Sequence, residues 1–213
     1  MRTPRTRSPR KPKGQGAERR EEILDAAQAL FGQKGVHAVS TRQIAELAGI
    51  SQPALYAYFT TKDEIAAELC VRAFDILGQR MAAARVDYTP TPESFERCLR
   101  VYIDFGLDHP DAYRVAFMLE KSVDGSFLEK TGGRPMLAGK QVFHVFVEMV
   151  GELHARGQMA GGDVMAATQS LWAGLHGLVS LLIARPEFPW VEREQLIATH
   201  VAMLRRGALK SGA

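Results

Sequence analysis

Gln52, Pro53 and Ala54 stand in a row, with Ser51 before them, Tyr56 and Tyr58 just after, Lys62 a turn further on, and Thr41 and Arg42 a short way upstream. These side chains suit the two kinds of surface that a nucleic-acid duplex offers. The Gln52 amide carries a donor and an acceptor side by side, matching adenine in the major groove, and the Pro53 ring and Ala54 methyl can pack on a thymine methyl. Thr41, Tyr56, Tyr58 and Lys62 bring hydroxyls and an ammonium to phosphate oxygens, while Arg42 can bond phosphate and is long enough to reach guanine. Such groups work together only when a scaffold holds them on one face.

The flanking residues specify that scaffold. Ser40 with Gln43 three residues on is a capping box, which starts a helix. Ile44, Leu47 and Ala48 fall on one side of it, Ala45 is small enough for a close crossing, and Gly49 can take the left-handed conformation that stops a helix and turns the chain. Ser51 caps a second helix, Pro53 fits its first turn, and Leu55 and Phe59 give it an inner face. Two short helices joined by a glycine turn are a helix-turn-helix, which sets its second helix into the major groove of DNA.

A helix over about 17–33 carries Ile23, Leu24, Ala27, Leu30 and Phe31 at helical spacing and is stopped by Gly35, so it completes a three-helix unit with Val36 and Val39 plugging its core. Thr61 and Glu64 form a second capping box that opens a long helix to Ala84, with Ile65, Leu69, Ala73, Ile76 and Leu77 turned inward. Lys62 in its first turn opposes the helix dipole unless a phosphate lies nearby. Further helices are expected at about 92–108, 110–120, 140–156, 163–184 and 190–209. Residues 122–139, rich in Gly, Ser and Lys, are expected to be a mobile loop able to act as a lid.

The net charge of +3 conceals an asymmetry. Six cationic residues, Arg2, Arg5, Arg7, Arg10, Lys11 and Lys13, precede the first acid at Glu18, so the rest of the chain is slightly acidic. Residues 1–16 read as a disordered basic tail, placed either to solubilise the chain or to follow a phosphate backbone. The hydrophobic fraction of 46% is ample for a core. Cys70 and Cys98 have no ligand spacing and fit buried thiols in a reducing cytoplasm. The N-terminus has no apolar stretch of the kind a signal peptide needs, and the longest nearly apolar run, Leu171–Ala184, is too short to span a bilayer. A soluble cytoplasmic protein with no membrane partner is expected.

Catalysis has little support. The six histidines, His37, His109, His144, His154, His176 and His200, are scattered, with no metal-ligand spacing, nucleophile elbow or phosphate-binding glycine loop beside them. No enzyme, metal or cofactor is expected.

Phe31 to Gly35, Ile44-Ala45, Ala48-Gly49-Ile50-Ser51, Leu55-Tyr56, Phe59 and Lys62 together resemble the DNA-binding domain of the TetR (tetracycline-repressor) family of bacterial transcriptional regulators. One departure is Tyr58, where many members have His. Trp172-Ala173-Gly174-Leu175-His176-Gly177 is similar to the Trp-x-x-x-His-Gly signature of one class of TetR ligand-binding domains. The resemblance implies an all-α fold of about nine helices, with a DNA-binding domain at 17–62 and a larger ligand-binding and dimerisation domain at 63–210. It implies a homodimer whose eighth and ninth helices form a four-helix bundle, a fit for the apolar helix over 163–184 and its small residues Ala173, Gly174, Gly177, Ser180 and Ala184. It also implies a small apolar or aromatic effector held among Phe105, Tyr113, Phe117, Phe143, Phe146, Met149, Trp172 and His176, releasing a repressor from a palindromic operator. A ligand-dependent activator is the first alternative. An architectural DNA-binding protein without effector is the second, and it does not explain the large apolar region after the motif.

Overall fold

The computed structural model describes residues 16–86, 89–118 and 129–210. Among the described residues there are nine α-helices, which we number in chain order. They are α1 (Gly16–Lys34), α2 (Thr41–Leu47), α3 (Gln52–Tyr56), α4 (Lys62–Ala84), α5 (Pro92–Asp108), α6 (Pro110–Tyr113), α7 (Arg134–Ala155), α8 (Val164–Ala184) and α9 (Arg193–Ala208). Beyond them, a π-helical turn, Arg114–Met118, continues α6, and one isolated antiparallel bridge joins Met159 to Leu209. The basic tail to residue 15 and residues 122–128 of the expected lid lie outside the described residues, and the last part of that expected loop is helical, since α7 starts at Arg134.

The helices group into two units. One comprises residues up to Ala73 together with Asp111–Met136, and the other Phe74–Pro110 together with the chain from Leu137 onward. Each unit is therefore built from two separate stretches of the chain. Val115 joins the buried cluster of Ile23, Phe31, Ile44, Leu55, Phe59 and Ile65, and its carbonyl accepts the Cys70 thiol at 3.3 Å. A segment distant in sequence thus supplies part of the first unit's core, and no local pattern reports such a contact.

In the first unit, the Ser40 box forms as the spacing requires, with Gln43 N donating to Ser40 Oγ at 3.2 Å and Ser40 N to Gln43 Oε1 at 2.8 Å. Gly49 then takes φ +69°, and Ser51 Oγ accepts from Ala54 N at 3.3 Å. Ile44 and Ala45 are buried, whereas Leu47, assigned inward from the sequence, is 54% exposed. Seven residues make barely two turns, and Leu47 falls on the flank of the stripe that the Ile44–Ala45 pair defines. At the start of α4, Thr61 Oγ1 accepts from Glu64 N at 3.0 Å, but the Glu64 carboxylate bonds Thr60 N (2.7 Å) and Thr60 Oγ1 (2.8 Å) rather than closing the box on Thr61.

In the second unit, α5 packs on both α8 and α9, and α8 on α9. Its core includes Phe95, Leu99, Tyr102, Phe105, Phe146, Leu175 and Ile197, each at most 1% exposed. At the α8–α9 crossing, a Cβ on Gly174 would lie 2.9 Å from Leu204 Cδ2, the movable end of that side chain, and the Gly174 carbonyl sits 3.1 Å from His200 Nε2. Gly177, grouped with Gly174 in the sequence, has open space where a Cβ would point. Counted over all 21 residues, α8 is long and apolar enough by length and composition to cross a membrane, because Val164–Ala167 extend the run counted from Leu171. Leu171, Leu175, Leu178, Val179 and Ile183 are nevertheless buried within this unit, as the core helix of a helical bundle requires.

Candidate nucleic-acid interface

Leu55 (0% exposed) and Phe59 (1%) anchor α3 and the turn after it, while Pro53, Ala54 and Tyr56 face outward and Gln52 is half-buried. Of the other residues singled out, Arg42 is exposed, and Thr41, Ser51, Tyr58 and Lys62 are half-buried. Ser51 acts as the α3 cap. Lys62 Nζ donates to the carbonyls of Val39 (2.9 Å) and His37 (3.4 Å), tying the start of α4 to the segment ahead of α2. That bonding gives a lysine in a first helical turn a structural reason that the sequence did not show. Thr41, Gln52 and Tyr56 come together, with Gln52 Nε2 donating to Thr41 Oγ1 at 2.9 Å and Thr41 Oγ1 lying 3.2 Å from Tyr56 Oη.

Behind this face is a charged brace that sequence reasoning missed. The Arg20 guanidinium stands 4.8 Å over the Phe59 ring and 3.2 Å from Glu68, which also accepts from Arg134 at 3.0 Å. Burial alone would push the Glu68 carboxyl up, but the hydrogen bonds and charges of Arg20 and Arg134 outweigh it and hold the group below its ordinary value. Arg20, Glu68 and Arg134 belong to three separate stretches, so no spacing rule links them.

The eight residues grouped as an effector site are divided between the two units. Tyr113 and Phe117 belong to the first unit, where their rings lie 4.7 Å apart. Phe105, Phe143, Phe146, Met149, Trp172 and His176 belong to the second. There, Trp172 stacks on His176 at 5.7 Å and meets Phe143 edge-on at 6.1 Å. Its indole N–H donates to Tyr102 Oη at 3.2 Å, and Tyr102 meets Phe146 edge-on at 5.8 Å. Tyr102, which is not in the sequence-based set, thus joins Trp172 to Phe146. The signal available was that a Trp with a buried body needs an acceptor for its N–H, and α5 offers a tyrosine on its inner face.

His176, 3.3 Å from Ser180 Oγ, has its pKa lowered by burial from the ordinary 6.5. Above that value the imidazole is neutral in both folded and unfolded chains. As pH falls through it, the unfolded chain binds the proton first, so this group's contribution to stability drops until the lower folded value is passed. We expect the urea midpoint of the second unit to fall as pH drops through about 6.5, the ordinary histidine value, and His176→Gln to flatten that fall. An equal fall in the variant would show that other groups cause it.

The fold and the site define a class: a helical protein with a helix-turn-helix head and a larger helical body. Family models place it further. The model described as bacterial regulatory proteins of the tetR family matches residues 23–69, and that described as the tetracyclin repressor-like C-terminal domain matches residues 95–204. The chain belongs to the TetR family. It is 32% identical over 100 residues to the HTH-type transcriptional regulator RutR of Escherichia coli, covering 47% of each chain. It is 31% identical over 100 residues to the HTH-type transcriptional activator FasR of Mycolicibacterium smegmatis, covering 47% of this chain and 46% of that one. These matches span about half the length of those curated relatives. Among solved structures, the ketosteroid transcriptional regulator KstR2 of Mycobacterium tuberculosis superposes with a TM-score of 0.71 at 24% identity, covering 94% of this chain and 100% of the other. A tetR-family regulatory protein from Rhodococcus RHA1 does so with a TM-score of 0.75 at 18% identity, covering 91% and 98%.

Proposed function

We propose that the chain is a cytoplasmic homodimeric repressor that binds a palindromic DNA operator and is released from it by a small apolar or aromatic effector. The observation that carries this reading is the row of half-buried Gln52 and outward-facing Pro53 and Ala54, set on a helix whose opposite side is locked by Leu55. Thr41, Arg42, Tyr56, Tyr58 and Lys62 flank that row as phosphate-bonding groups. One head reads only a few base pairs, so two related by a dyad must occupy grooves about 34–36 Å apart or a multiple of that.

The pairing surface in this reading is on α8 and α9. Ala166, Ser170, Ala173, Leu181 and Ala184 are exposed along one side of α8, and Met203 of α9 is 59% exposed. Small residues at helical repeats allow a second helix to approach closely, and an exposed apolar stripe favours such a cover. The effector would be held by the Tyr102, Phe143, Phe146, Trp172 and His176 cluster, in keeping with the likeness of Trp172 to Gly177 to the Trp-x-x-x-His-Gly signature. It acts by binding better to a spread of the heads that does not match the groove spacing. No catalytic step is part of this function. The named activator among the relatives favours one second reading, in which effector strengthens binding instead.

Selection from a fully randomised duplex library tests the reading. The wild-type protein is expected to enrich an inverted repeat, and addition of a metabolite library to lower its occupancy. Gln52→Ala should erase base preference at one position of each half-site while leaving the repeat recognisable, a loss of about 1–3 kcal/mol of discrimination. Enrichment of no sequence, or of a lone half-site, would sink the dimeric operator reading.

A further inference from the structure

Thr41 is the first residue of α2 and Gln52 the first of α3, so their hydrogen bond ties together the starts of both motif helices. The threonine is β-branched, and its backbone is fixed by the Ser40 capping box beside it, so its hydroxyl has little freedom to follow the amide elsewhere. The Tyr56 hydroxyl, 3.2 Å from Thr41 Oγ1 on its other side, holds the hydroxyl in the same place. The outcome is a row of three polar side chains with the threonine in the middle.

The count of donors in this row has a consequence for base reading. A primary amide owns two N–H donors and one carbonyl acceptor. If it turned freely, Gln52 could offer a base edge two donors, which suit the N7 and O6 acceptors of guanine, or one donor and one acceptor, which suit the N7 and N6 of adenine. With one N–H committed to Thr41, one donor and one acceptor remain. That pair complements adenine and lacks the second donor that guanine needs.

We infer that Thr41 is a specificity-determining positioning residue: by occupying one N–H of Gln52 it makes that amide a reader of adenine and denies it guanine. This inference rests on the proposed reading that the α3 face enters the major groove, and goes beyond it by assigning a base choice to a residue on the other helix. It separates Thr41 from a simple phosphate contact, which would strengthen every sequence alike.

The test is selection from a fully randomised duplex library with wild-type protein and with Gln52→Ala, Thr41→Val, Thr41→Ala and Thr41→Ser. The position read by Gln52 is the one whose preference vanishes in Gln52→Ala. There, wild type and Thr41→Ser should favour adenine over guanine by about ten-fold or more, whereas Thr41→Val and Thr41→Ala should bring the ratio within about three-fold. Thr41→Ala, a good helix former, keeps the test open should valine perturb the start of α2. Retention of the full adenine preference by both hydroxyl-free variants, with binding weakened on all sequences equally, would overturn the inference and leave the DNA reading standing. So would a guanine preference in the wild type. Enrichment of no sequence by the wild type would instead overturn the DNA reading itself, and this inference with it.

Discussion

Phe59→Ala is expected to destabilise the first unit by about 3–5 kcal/mol, the range for deleting a fully buried aromatic ring. The ring is 1% exposed and shares a core with Phe31, Ile44, Leu55 and Ile65, so its loss removes support from every element of the head at once. The Arg20 guanidinium above it adds about 0.5–1 kcal/mol through the ring's negative face, and the variant loses that as well. Phe59→Leu keeps most of the volume and should cost less than half as much. Both tryptophans, Trp172 and Trp190, lie in the second unit. Their fluorescence therefore reports that unit, while far-UV circular dichroism includes the head. In urea, the variant should lose part of its helical signal before the fluorescence changes. An unmoved helical transition would show that Phe59 does not carry the head.

Gly32→Ala should also destabilise, against the usual benefit of alanine in a helix. A Cβ at Gly32 would lie 2.4 Å from Asp111 Oδ1, 2.5 Å from its Cγ and 2.7 Å from its Cβ, all within the first unit. The last of these cannot swing away without moving backbone. The carboxylate is in addition paired with Arg114 at 3.0 Å, so moving it sacrifices that contact. Overpacking of this kind costs about 1–3 kcal/mol, more than the roughly 1 kcal/mol gained in helix propensity. The sign should reverse when the obstacle is removed: in an Asp111→Gly background, Gly32→Ala should stabilise. Thermal midpoints of the four proteins decide this, and a destabilising effect of equal size in both backgrounds would mean that the Asp111 side chain is not the obstacle.

The motif was legible because its signals are local. The Ser40–Gln43 box, the Gly49 stop and the Ser51 cap each depend on residues at most three apart, and each is found as read. The capping box at Thr61 was half right, since Thr60, one residue earlier, competes for the same carboxylate and takes it. α7 starts at Arg134, six residues before the Lys140 that the sequence pattern indicates. Gly133 at φ +68° and Pro135 in the first turn mark a helix start at Arg134, but the surrounding Gly and Lys gave the stretch the composition of a loop. Likewise, a plain helix was read through residue 120 where a π-helical turn occupies Arg114–Met118, an insertion that leaves no periodic trace.

By itself, the sequence determined the helical class, the helix-turn-helix and the outward-facing residues on it, because capping, turn chemistry and 3.6-residue periodicity act over a few residues. Only the tertiary structure decided that Val115 completes the head's core, that Arg20 and Arg134 share Glu68, and that Tyr113 and Trp172 belong to different units. It also decided that Thr41 holds the Gln52 amide. Such pairings depend on where distant stretches meet, and burial and directional hydrogen bonds fix that only once the chain has folded.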